Sequence, residues 1–280
     1  MWSVVRPELD AGKTFETCIE RVRNPATRRC LTAIRPNIEV AATDYVEKAK
    51  AGELHLIQQT DAVGTVPGSE MVKTYDERMA KKGQPGRPIY DQIKLLPRGD
   101  RCPFCDHRNV STLDHFLPKT RYPIFAVAPF NLVGACADCN RTKLDTAPTS
   151  AEDTVLHPYF DDVNDQQWLF ARVVQTVPAA VTFHVIDVDK WDDVLNARIA
   201  RQFNLLGLAD LYSSQAARET TDIRRNLERH FEYGGAAVVR AELEYQWESR
   251  QQNRANSWQT ATYEALAESD WFCDGGFSEI

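Results

Sequence analysis

Two Cys-x-x-Cys pairs, Cys102/Cys105 and Cys136/Cys139, stand thirty residues apart in a chain of 280. Four thiols at such spacing can close a tetrahedron around one Zn²⁺ and leave no coordination position for anything else, so they read as a structural zinc site. The gap is longer than the roughly 15–20 residues of a simple zinc ribbon, which leaves room for two short strands inside the loop. That loop contains Asp114, His115 and Asn131, and Asn140 directly follows the last cysteine. Any chemistry must come from these side chains, with the cysteines holding them in place.

A neutral imidazole near pH 7 can take a proton from water, which makes His115 the candidate general base. Asp114 and Asn140 offer oxygen donors, a hard set suited to Mg²⁺ or Mn²⁺ that leaves positions for waters and phosphate oxygens. Neighbours on a strand point to opposite faces, so Asp114 and His115 are expected at a strand end or bulge. Asn140 would be fixed through its neighbour Cys139; if a helix begins there, it is also a candidate N-cap. Lys119, Arg121, Arg141 and Lys143 read as contacts to phosphate oxygens or as a solvated charged set. His157 reads as a supporting partner of this group or as a buried packing corner, and His107 as a bystander, since four thiolates already fill a zinc shell.

The stretch from Cys102 to Lys143 contains Cys-Pro-Phe-Cys, Leu-Asp-His-Phe-Leu-Pro-Lys, Pro-Phe-Asn-Leu-Val and Cys-Ala-Asp-Cys-Asn-Arg-Thr-Lys. It resembles the HNH endonucleases of the zinc-bound ββα-metal type, in an H-N-N variant, because Asn140 stands where the family name has its final His. The resemblance covers about a sixth of the chain. It implies a metal-dependent endonuclease that hydrolyses phosphodiester bonds in DNA and leaves 5′-phosphate and 3′-hydroxyl ends. It also implies that Asn131 ties the loop backbone and orients the base without touching metal. Flanking phrases, Tyr90-Asp91-Gln92-Ile93, His157-Pro158-Tyr159-Phe160-Asp161 and Trp271-Phe272 with Gly275-Gly276-Phe277, resemble longer bacterial HNH proteins encoded beside defence ATPases. They imply an effector of anti-phage defence with a separate ATPase subunit as partner. Two other readings stand beside this one: a non-catalytic zinc-stabilised interaction module, and a nuclease that cuts RNA.

A net charge of −7 argues at first against a polyanionic ligand. The charge is unevenly spread, however. Residues 73–143 carry thirteen Lys and Arg against seven Asp and Glu, so this window is +6 and the remainder is −13. The basic window surrounds the motif. Gly83-Gln84-Pro85-Gly86-Arg87-Pro88, flanked by Lys81 and Lys82, reads as a phosphate contact or a solvated linker.

Composition, 43% hydrophobic and 10% aromatic, is enough to bury a core. No stretch approaches eighteen uninterrupted apolar residues, and Met1 to Pro7 lacks the pattern of a signal peptide. Cys18, Cys30 and Cys273 lie scattered, which fits a reducing compartment. The expectation is a cytoplasmic protein.

The fold class expected is α+β: a mainly helical chain, a central ββα-metal module and a small β-hairpin in the C-terminal part. The expected division is a helical region over 1–97, the zinc-bearing module over 98–160, and a hairpin plus helices over 161–280. Ile38, Ala41, Ala42, Tyr45 and Ala49 predict a helix from Ile38 to Gly52, capped by Asn37. Phe15, Cys18, Ile19 and Val22 predict an earlier one, with a break near Pro25, and residues 61–72 read as a loop. Runs 168–174 and 181–186 predict the hairpin, and helices follow around Val194, Ile223 and Trp258.

Overall fold

The structure, a computed structural model, describes residues 3–144 and 146–279. It is an α+β protein in which helices dominate and, among the described residues, the sheets are three separate antiparallel pairs. The chain divides into two compact units, with the boundary between Asp162 and Val163. The expected divisions 1–97 and 98–160 thus fall inside one unit.

The first unit opens with helices α1 (Ala11–Ile19), α2 (Pro25–Ala33) and α3 (Arg35–Ala51). The break expected near Pro25 falls at residues 20–24, and Pro25 itself starts a further helix: Asn24 accepts from Ala26 and Thr27 N–H, and Pro25 fills the first turn, where a missing N–H costs nothing. The third helix begins at Arg35, three residues before the expected start, because Pro36 supplies its first turn and Asn37 is already helical. Gly52 ends it in the left-handed conformation. The stretch read as a loop is a two-residue ladder, β1 (Ala62–Val63) with β2 (Val66–Pro67), followed by helix α4 (Gly68–Lys73). A π-helical turn, Thr74–Met79, extends α4. Helix α5 (Arg87–Lys94) then leads to the motif.

Strands β3 (Thr112–His115) and β4 (Leu132–Ala135) pair antiparallel, Leu113 opposite Gly134 and His115 opposite Leu132, and helix α6 (Ala137–Lys143) follows at once. The hairpin packs on α5. Gly134 permits the approach: a Cβ there would meet Lys94 O and Pro97 Cγ at 3.0 Å each. Tyr45 of α3 is fully buried against Phe125 and Phe130 of the loop between the strands, with ring centroids 5.0 and 4.7 Å away. The N-terminal helices therefore share a core with the cysteine-bounded segment.

The second unit holds the expected hairpin, β5 (Leu169–Val174) against β6 (Ala180–Val185). Helices α7 (Asp193–Leu205), α8 (Leu208–Gln251), α9 (Trp258–Glu268) and α10 (Asp270–Cys273) complete it. Helix α8 is interrupted by non-helical backbone at Gly234 and Gly235. Buried Asn256 accepts from Trp168 and Leu169 N–H and donates to Val163 and Gln166 O, fixing the start of β5. No helix among the described residues is long and apolar enough to cross a membrane.

Candidate functional site

Cys102, Cys105, Cys136 and Cys139 are all buried, and their sulfur atoms lie within 4.8 Å of one another. Zn–S bonds of about 2.3 Å in a tetrahedron require sulfurs about 3.8 Å apart. The Cys105 and Cys136 sulfurs stand at 4.0 Å. Both cysteine loops turn donors onto sulfur, with Arg108 N–H to Cys105 Sγ at 3.5 Å and Cys139 N–H to Cys136 Sγ at 3.4 Å. Asp106 makes the first turn possible with φ 51° and an N–H donated to Cys102 O.

The thiols compete for protons when left to themselves. Hydrogen bonds with Cys102 hold Cys105 and Cys136 below the ordinary thiol value, while the contacts with Cys105 and Cys136 push Cys102 up and the contact with Cys102 pushes Cys139 up. A divalent cation resolves the conflict by stabilising four thiolates together. The group fits a zinc ion, and among the described residues no other set of three His, Cys, Asp or Glu side chains does so.

The second cysteine loop also starts α6, because Cys136 is its N-cap. Asn140 is therefore inside the helix, its N–H on Cys136 O at 3.1 Å, and the expected capping role falls away. Its side chain makes no hydrogen bond among the described residues. It lines a pocket of about 350 Å³ together with Asp114, His115, Lys119, Arg141, Tyr75 and Leu144. Asp114 and His115 both reach this pocket from the last two positions of β3, where the strand ends.

Neutral His115 must carry its proton on Nε2, since that nitrogen lies 2.9 Å from Ala126 O and a carbonyl only accepts. Nδ1 is left as the basic atom. Burial pushes the His115 pKa down to about 3, nearby Lys119 and Lys143 push the same way, and the Ala126 carbonyl opposes them. The ring is thus neutral at pH 7. Tyr75, on the π-helical turn, sets its ring at 73° to the imidazole with centroids 4.3 Å apart, and Lys119 Nζ lies 4.4 Å above the Tyr75 ring. Nothing in sequence spacing marked Tyr75, because its placement depends on the wider turn of a π-helix.

Asp114 is buried and paired with Lys143 Nζ at 2.5 Å. Burial raises the Asp114 pKa and Lys143 works against that rise. Lys143 was expected as a phosphate contact, but its side chain is only 8% exposed and lies between the Phe104 and Phe116 rings. Its position one turn beyond Asn140 turns it inward, so it serves as the counter-ion of Asp114. Lys119 binds Asp76 at 2.5 Å on the pocket wall, Arg141 is exposed there, and Arg121 lies outside the lining and reaches Gln59.

Asn131 is fully buried with every side-chain valence used. Its Oδ1 accepts from Leu117 N–H at 2.8 Å and Tyr45 O–H at 3.1 Å; its Nδ2 donates to Leu117 O and Phe125 O. It ties the loop on both sides of the Pro118–Phe125 segment and has no lone pair left for a metal.

No family model matches the chain, and no solved structure matches it. Over 170 residues it is 34% identical to Protein ea31 of Escherichia phage lambda, a match that takes in 59% of this chain. The chain spans 56% of that relative's length.

Proposed function

We propose that this chain is an HNH-type, metal-dependent endonuclease that hydrolyses phosphodiester bonds in DNA. The observation that carries the reading is the convergence of Asp114, His115 and Asn140 on one pocket whose wall also presents Lys119 and Arg141. An interaction module held together by zinc has no need of that convergence. Asp114 and Asn140 would hold Mg²⁺ or Mn²⁺, which supplies charge neutralisation at the scissile phosphate. His115 Nδ1 takes a proton from the attacking water while its Nε2–H stays on Ala126 O. Water oxygen bonds to phosphorus, the bond to the 3′-oxygen breaks, and that oxygen takes a proton from solvent, leaving 5′-phosphate and 3′-hydroxyl ends. Lys119 and Arg141 hold phosphate oxygens without reading bases.

The setting we propose is anti-phage defence, with this chain as the effector of a separate ATPase subunit. Support comes from the phrases around Tyr90, His157 and Trp271. The similar Protein ea31 is encoded by Escherichia phage lambda.

Incubation of the zinc-loaded protein with supercoiled plasmid and, separately, total RNA in Mg²⁺ or Mn²⁺ tests the activity. Nicked circles from wild type and intact plasmid from His115→Ala are expected. Cleavage of RNA alone would move the substrate, and cleavage of neither, with the candidate ATPase present, would end the nuclease reading.

A further inference from the structure

Tyr45 O–H donates to Asn131 Oδ1, and the same hydroxyl lies 3.1 Å from His157 Nε2. Both residues lie outside the cysteine pairs, Tyr45 on α3 and His157 beyond α6, and both are buried. Hydrogen-bond direction along this series is fully determined. Tyr159 N–H can only donate, and it points at His157 Nδ1 from 3.2 Å, so Nδ1 accepts. Neutral His157 then carries its proton on Nε2 and donates to the Tyr45 oxygen. With its oxygen accepting, Tyr45 gives its proton to Asn131 Oδ1 and joins Leu117 N–H in holding that oxygen, with the amide nitrogen on Leu117 O and Phe125 O. Ala126, next to Phe125, supplies the carbonyl that holds His115 Nε2–H. A second path runs in parallel: the His157 ring stacks on Phe116, the residue after His115, with centroids 4.0 Å apart.

We infer that Tyr45 and His157 are positioning residues for His115, acting through Asn131 by a one-way chain of hydrogen bonds that fixes the amide and, through it, the carbonyl facing the imidazole. The inference rests on His115 being the base, but its first test does not. Each link is buried, so a reversed tautomer at His157 would oppose the Tyr159 N–H with a second donor, and the chain would lose its direction.

Imidazole nitrogen NMR of the full zinc-loaded chain should show His157 with its proton on Nε2, and Tyr45→Phe should shift the His115 ring resonances. A proton on Nδ1, or unmoved His115 resonances, overturns the inference whether or not the protein cuts DNA. In plasmid nicking, Tyr45→Phe should lower kcat by roughly ten- to a hundredfold with KM for DNA unchanged, as expected for a small misplacement of a catalytic group. Combined with Asn131→Ala it should add nothing to the loss from Asn131→Ala alone. Multiplicative losses would show two independent structural effects and would defeat the chain. Should Tyr45→Phe fail to fold, His157 provides the alternative: Gln places a donor where Nε2 was, and Asn only replaces Nδ1. His157→Gln should retain more activity than His157→Asn, and the reverse order contradicts the assigned direction. Failure of the nuclease reading itself would appear differently, as wild-type cleavage by His115→Ala or none by any variant.

Discussion

The two ends of the hairpin–helix segment dispose their polar side chains in opposite ways. At one end four buried sulfurs face one another, with backbone N–H groups on two of them. At the other, among the described residues, one carboxylate already balanced by Lys143 and an amide with no hydrogen bond line a pocket that Lys119 and Arg141 also line. The first arrangement spends all its donors on holding the chain together. The second leaves the Asn140 side chain uncommitted among the described residues. One short helix links them, since Cys136 and Cys139 fix its first turn and Asn140 is the next residue.

The most damaging way to break this contrast is Cys136→Ser. One thiolate is lost, while a serine hydroxyl can still cap α6, and structural zinc sites contribute on the order of 10 kcal/mol to folding of small modules. Zinc by elemental analysis, melting temperature and plasmid cleavage should all fall. A zinc-replete, active variant would remove the four-cysteine assignment. Chelation separates the ends without mutation: brief treatment should stop cleavage while about one zinc per chain stays bound, consistent with a closed shell, and Mg²⁺ or Mn²⁺ alone should restore it. Recovery only with added zinc would mean that the sulfur site does more than hold the chain. His115→Ala should act on the open end alone, reducing the rate by about 10²- to 10⁴-fold with zinc content and melting temperature unchanged. Near wild-type cutting would dismiss His115 as the base.

How much of this was legible in advance differs between the ends for a physical reason. Zinc ligation is written in local spacing, so the four cysteines could be read directly, and the β-hairpin at Leu169–Val185 was equally local in its alternation. Asp114, His115 and Asn140 were legible as a group because they lie close to those cysteines in sequence. Lys143 was misjudged because nothing in a charged residue's spacing shows that α6 turns it inward between two phenylalanines. Tyr45 and Tyr75 carried no signal of their own. Tyr45 read only as an apolar position on an amphipathic helix, and its contact with Asn131 spans 86 residues of sequence. The helix that starts at Pro25 and the early start of α3 at Pro36 carry no separate signal, because a proline that breaks a helix and one that starts it look alike until the preceding residues are seen.

Lys143 tests whether the open end is poised or merely exposed. Both members of its ion pair with Asp114 are buried, and removing one member of such a pair costs about 3–5 kcal/mol because the other is left charged and alone. Lys143→Met should therefore lower stability by denaturant titration, and adding Asp114→Asn should recover much of it without restoring cleavage. Full stability in Lys143→Met with weaker DNA binding would return Lys143 to the surface role first expected of it.

The smallest effects belong to the exposed cations, and they sharpen where the open end stops. Arg141 lines the pocket and Arg121 does not. An arginine that contacts phosphate releases counter-ions on binding, so its loss weakens DNA binding a few-fold and lowers the dependence of log Kd on log salt by about one. Arg141→Ala should show both changes with kcat nearly intact. Arg121→Ala, whose guanidinium reaches Gln59 and whose carbonyl accepts from Thr60 N–H, should show neither. Titration of a short labelled duplex at several salt concentrations reads the slopes. Equal slopes for the two variants would place the DNA path across Arg121 as well and extend the site beyond the pocket.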